Sequence, residues 1–113
     1  MLKKTNRISY DKEFDRVFKA GQSFYSKVLG VKAAPNERPE TRVGILVSTK
    51  VSKKAVIRNR LKRQIREVFS LELAKFKGGH DLVIIVLPLI LDKSFEEIAK
   101  DLQTGFKALN LYK

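Results

Sequence analysis

The feature that most narrows the fold is a run of six consecutive apolar residues, Leu82-Val83-Ile84-Ile85-Val86-Leu87. A strand with one face in water alternates apolar and polar side chains, whereas one that is apolar at every position must be covered on both faces. Asp81 marks the start of this strand after the flexible pair Gly78-Gly79, and Pro88, which has no N–H for a sheet ladder, marks its end. The run therefore predicts a central strand with a layer on each side. Extended to Leu91 it contains Pro88 and reaches about half of the ~20 residues of a membrane helix, so it reads as a buried strand and its exit.

The remaining elements are those that could cover such a strand. Ser9 can cap a helix from Tyr10 to Ala20, with Phe14, Val17 and Phe18 on one face and Gly21 as its stop. Gln22 to Ala34 suits β-structure, broken near Ser26 or Gly30, and Arg42 to Ser48 resumes it after the polar turn Pro35-Asn36-Glu37-Arg38-Pro39-Glu40. These two segments are expected to pair as an antiparallel hairpin. A long helix follows, reaching Phe76 before Gly78-Gly79. Ser94 and Glu97 then form a capping box for a last helix that carries Phe95, Ile98, Leu102 and Phe106. The order α-β-β-α-β-α defines an α+β fold, a sandwich of a mixed sheet and helices. At 113 residues it is one domain, residues 1–113, with a flexible basic arm over 1–8.

Charge then narrows the function. Between Lys50 and Arg66 stand eight Lys and Arg residues and no carboxylate. At about 100° per residue Ile57, Leu61, Ile65 and Val68 fall on one side of a helix, and Arg58, Arg60, Lys62, Arg63 and Arg66 spread over the other. A merely solvated face interleaves Glu with Lys at four-residue spacing; here the first acid is Glu67. So many like charges repel one another, and a polyanion relieves that repulsion. The formal charge of +12 and pI near 10.1 favour nucleic acid over a membrane surface, for which the chain offers neither a broad apolar helix face nor a lipidation signal. The absence of cysteine removes disulfides, zinc-thiolate sites and thiol nucleophiles, and is compatible with a cytoplasmic location. His80 beside Asp81 is the only suggestive catalytic pair and reads as a polar turn, so no catalytic residue and no metal site are expected in the chain. A binding protein is the consequence.

The ordered run Ala55-Val56-Ile57-Arg58-Asn59-Arg60-Leu61-Lys62-Arg63-Gln64-Ile65-Arg66-Glu67, preceded by Lys53-Lys54, closely resembles the signature of the bacterial ribonuclease P protein subunit, whose hallmark is the Arg-Asn-Arg triplet. The order of basic N-terminus, first helix, strands and closing helix extends the resemblance over nearly the whole chain. It implies a left-handed β-α-β crossover, as in the ribosomal protein domain-2-like fold, against the usual right-handed expectation. It implies a subunit of a tRNA-processing endoribonuclease, with the catalytic RNA and precursor tRNA as partners, no obligate protein partner, and Mg2+ serving the RNA holoenzyme rather than the protein. Lys50, Lys53, Lys54, Arg58, Asn59, Arg60, Lys62, Arg63 and Arg66 are then the RNA-binding residues. The family's cleft for the single-stranded 5′ leader falls at Phe14 and Phe18, a pair one turn apart that suits either core packing or base stacking. Lys32 stands where some members carry a further aromatic, which implies a phosphate contact. The alternative is a ribosomal or general RNA-binding protein with no processing role.

Overall fold

The computed structural model describes residues 3–8 and 11–113. Its elements are α1 (Asp11–Ala20), β1 (Gln22–Tyr25), β2 (Leu29–Pro35), β3 (Arg42–Leu46), α2 (Ala55–Glu72), β4 (His80–Val86) and α3 (Phe95–Ala108), with short 3-10 turns at Lys4–Asn6, Leu73–Lys75 and Pro88–Asp92. The cap assigned to Ser9 and the helix start at Tyr10 lie outside the described residues.

The apolar run forms β4 and takes an interior place in a four-stranded sheet of order β1-β2-β4-β3. It pairs antiparallel with β2, Val31 opposite Ile84, and parallel with β3, Val43 opposite Leu82. Side-chain alternation divides the strand between two layers. Leu82, Ile84 and Val86 join Leu29, Val31, Val43 and the buried faces of α2 and α3 in the main core, while Val83 turns to Ile8, Val17 and Ala34 beneath α1. β3, α2 and β4 form a crossover between parallel neighbours.

The break expected near Ser26 forms, but the pairing changes: the Ser26 hydroxyl accepts the N–H groups of Val28 (3.2 Å) and Leu29 (3.2 Å) and turns the chain back, so the antiparallel hairpin is β1 with β2. The segment 42–46 does not pair with β2; it lies on the far side of β4, making the order α-β-β-β-α-β-α. The reason lies in β4, whose buried backbone needs hydrogen-bonding neighbours on both edges as well as cover on both faces. The proline-flanked connection passes the start of β4, where the Asn36 N–H donates to Gly79 O (2.9 Å).

Residues 3–8, read as part of a flexible arm, lie against β3. The Asn6 side chain donates to Thr41 O (2.9 Å), the Ile8 N–H donates to Val43 O (3.0 Å), and both side chains are buried. A reading by charge alone overlooks these two anchors. The capping box forms as expected, with Ser94 Oγ accepting from the Glu97 N–H (3.2 Å) and Glu97 Oε1 accepting from the Ser94 N–H (3.0 Å).

Candidate nucleic-acid interface

α2 is held to the core by Leu61, Ile65, Val68 and Phe69, all buried. Asn59, Arg60, Arg63 and Arg66 stand exposed on its outer face. Arg58 and Lys62 differ from expectation: they lie half-buried on the flank of the apolar seam. Arg58 Nη1 donates to Ser52 O (2.9 Å), so this guanidinium fastens the loop before its own helix. That loop presents Lys50, Lys53 and Lys54, all exposed, around the buried Val51. Its turns are closed by side chains, the Lys50 N–H on Ser48 Oγ (3.2 Å) and the Lys54 N–H on Ser52 Oγ (3.2 Å). Among the described residues none of these eight cations has a carboxylate partner. The loop and helix form one cationic surface suited to phosphates, with Arg forks and Lys point charges side by side.

The opposite sheet face is only partly covered. α1 seats Val17 over Ala34 and Val83, and Phe14 packs half-buried on Gly44, where a Cβ would run into its ring. One turn on, Phe18 remains 36% exposed. Lys32 projects from β2 with Nζ 5.7 Å from the Phe18 ring centroid and 6.0 Å from that of Tyr25, a cation between two aromatic rings. Tyr25 is 54% exposed and its ring lies over Gly30, which has no side chain to displace it. The structure therefore separates Phe14, which floors the groove, from Phe18 and Lys32, which line its open part. Tyr25 is a lining residue outside the expected cleft set of Phe14, Phe18 and Lys32. Its signal was the antiparallel register, which puts Ser23 opposite Lys32 and so turns Tyr25 to the same face.

A buried ionic cluster holds α1 at this distance from the sheet. Asp81 is fully buried and accepts from Arg42 Nε (2.8 Å) and Nη2 (2.6 Å), Arg16 Nη2 (2.6 Å) and Asn36 Nδ2 (2.8 Å). Arg42 Nη2 also meets Glu13 Oε2 on α1 at 2.7 Å. Burial alone pushes the Asp81 carboxyl up; the hydrogen bonds from Arg42, Asn36 and Arg16 outweigh it and hold the group below its ordinary value. The same bonds raise Arg42 above the ordinary arginine range, against its own burial. His80 and Asp81 do not act as a pair, since neighbours in a strand face opposite ways: His80 Nδ1 lies 3.1 Å from Gly78 O. Among the described residues no group of three or more His, Asp or Glu is placed to hold a metal ion.

A cationic helix on one side of a sheet, and a cation flanked by partly exposed aromatic rings on the other, define a small basic α+β protein with two differently equipped faces. The Ribonuclease P family model matches residues 2–110. The chain is 40% identical over 106 residues to the ribonuclease P protein component of Synechocystis sp., covering 93% of this chain and 86% of that protein. It is 40% identical over 113 residues to that of Bacillus pumilus, covering 98% and 93%. Among solved structures it superposes on the RNase P protein of Staphylococcus aureus with a TM-score of 0.88 at 29% identity, covering 96% of this chain and 98% of that one. The protein from Thermotoga maritima gives 0.79 at 28%, covering 87% and 92%. The chain belongs to the family of ribonuclease P protein components.

Proposed function

We propose that this chain binds the catalytic RNA of ribonuclease P and the 5′ leader of precursor tRNA, and so assists removal of that leader to give the mature 5′ end. The observation that carries the reading is the separate equipping of the two sheet faces within one family member. The exposed Asn59, Arg60, Arg63 and Arg66, with Lys50, Lys53 and Lys54, suit an extended phosphate surface. Lys62 adds charge from the flank, and Arg58 shapes the loop. On the other face Phe18 and Tyr25 offer ring faces to unpaired bases while Lys32 offers a charge to the phosphate between them. Phe14 anchors α1 on the sheet.

Catalysis in this proposal belongs to the RNA. The one histidine is bound up in a turn and Asp81 is consumed by arginines, which supplies no base and nucleophile within reach of each other. In this proposal Mg2+ serves the RNA, and no step is routed through this chain. Cytoplasmic location belongs to the same proposal; no described helix is long and apolar enough to cross a membrane. The test is reconstitution with a bacterial catalytic RNA at low magnesium. Cleavage of precursor tRNA should require both components. Cleavage by the protein alone, abolished by His80→Ala, would establish a protein nuclease instead, and equal effects on precursor and mature tRNA would favour a general RNA binder.

A further inference from the structure

At the end of α2 remote from the loop 47–54, the same face of the molecule carries a surface groove of about 640 Å3 lined by Lys75, Lys100, Lys107 and Lys113 together with Glu72 and Tyr112. Three separate stretches of chain build it. Lys100 and Lys107 lie two turns apart on α3, on the side away from the buried Ile98, Leu102 and Phe106. The last residues return alongside the end of α2, with the Lys77 N–H donating to Leu111 O (2.8 Å) and the Lys113 N–H to Lys75 O (2.9 Å), which sets Lys113 beside Lys75. Tyr112 makes a firm wall, its ring stacked on Phe76 at 5.6 Å between centroids.

The one carboxylate side chain in the groove is already satisfied. Glu72 Oε1 accepts the Tyr112 hydroxyl at 2.7 Å and Oε2 meets Lys75 at 3.0 Å. Burial raises the Glu72 carboxyl, and the bonds from Tyr112 and Lys75 more than reverse this, so Glu72 stays charged and balances a single lysine. Lys100, Lys107 and Lys113 have no carboxylate partner among the described residues. The side chains that line the groove are net positive. Four ammonium groups around one concave surface repel one another until an anion enters.

We infer that this groove is a second RNA contact, which takes the phosphodiester backbone of a segment of the catalytic RNA. The inference rests on the function proposed above. An 18-residue α2 is ~27 Å long, so a phosphate at Lys53 or Lys54 cannot also be held here, and a separate stretch of RNA is needed. Lysines spaced about 10 Å apart along α3 suit a strand rather than one compact anion. Ammonium groups, unlike paired guanidinium forks, place few demands on phosphate geometry, so the contact would position RNA without reading its sequence.

The test uses the full chain and a transcript of a bacterial catalytic RNA. Lys100→Gln/Lys107→Gln is compared with Arg63→Ala/Arg66→Ala, with thermal unfolding checked for both. The groove variant should weaken binding roughly 25- to 60-fold at 0.1 M salt and make the log affinity against log salt slope shallower by about 1.4 to 1.8, the loss of two phosphate contacts. The chain has no cysteine, so Thr104→Cys carrying tethered iron-EDTA provides a second readout. It should cut the RNA at sites distinct from those cut from a cysteine at Asn59. Unchanged affinity and slope in the groove variant, with the helix variant weakened and no cleavage from position 104, overturns the groove and leaves the proposed function standing. A wild-type chain that does not bind the catalytic RNA overturns both.

Discussion

Arg42 and Asp81 stand opposite each other at the starts of two parallel strands, and their side chains join in a buried two-bonded ion pair. Arg16 and Glu13 of α1 close on the same pair at 2.6 and 2.7 Å. The pair therefore fixes the helix that walls the aromatic groove. Asp81→Asn keeps the shape but leaves Arg16 without its carboxylate and Arg42 with Glu13 alone. It should cost roughly 3–5 kcal/mol of unfolding free energy, measured by urea denaturation.

The same carboxylate predicts acid sensitivity. Its folded pKa is depressed, so its stabilising contribution is fully present above the unfolded Asp value of about 3.9 and is lost as pH falls through the lower folded value. Below about pH 4 the wild type should lose stability faster than Asp81→Asn, and the gap between them should close. A gap constant from pH 7 to pH 3 would show that Asp81 acts only through shape.

On α2, Arg63→Ala and Arg66→Ala should each lower affinity for the catalytic RNA and make the salt slope shallower by about 0.7 to 0.9, with unfolding unchanged. Arg58→Ala should behave differently. Its guanidinium holds Ser52 O, so the variant releases the loop carrying Lys53 and Lys54 and should lose affinity and some stability together. Equal behaviour of all three in both assays would argue against this division of labour.

Local patterns carried most of this architecture in the sequence. The apolar run, the Ser94 and Glu97 capping box and the seam Leu61, Ile65, Val68 are each set by side chains within a turn or two of one another, and each formed as read. Pairing between distant segments was not legible. The stretch 35–40 has the composition of a hairpin turn but passes the start of β4, because the demands of β4 outweigh a local turn preference. Asp81 was hidden for the same reason. Beside His80 it resembles half of a catalytic pair, and only the register with Arg42 identifies its partner. Tyr25 likewise became a groove residue only once β1 folded back on β2.

Gly30 gives a direct test of the groove. A Cβ at this position would collide with the Tyr25 ring, whose exposed side leaves it free to swing outward, so Gly30→Ala should fold yet open the groove beside Lys32. Precursor tRNA binding to the reconstituted complex should weaken while mature tRNA binding holds. Equal loss on both ligands would mean that the ring serves only the fold.

Phe18 and Phe14, one turn apart, should part company when each is replaced by alanine. Phe14 fills the space over Gly44, and its loss leaves a cavity between α1 and the sheet, so Phe14→Ala should lower stability by roughly 2–4 kcal/mol. Phe18 keeps about a third of its surface open beside Lys32, so Phe18→Ala should cost less stability than Phe14→Ala and leave a cooperative transition. Its effect should appear in binding. A contact made only with the leader strengthens precursor binding and is lost on cleavage, so it discriminates substrate from product in a way that contacts to the shared tRNA body do not. Stacking is worth about 1–3 kcal/mol per base, which sets the expected loss of precursor affinity at roughly five- to a hundredfold, with mature tRNA barely affected. Should Phe18→Ala instead abolish the cooperative thermal transition, or weaken both ligands alike, the leader does not lie along this groove.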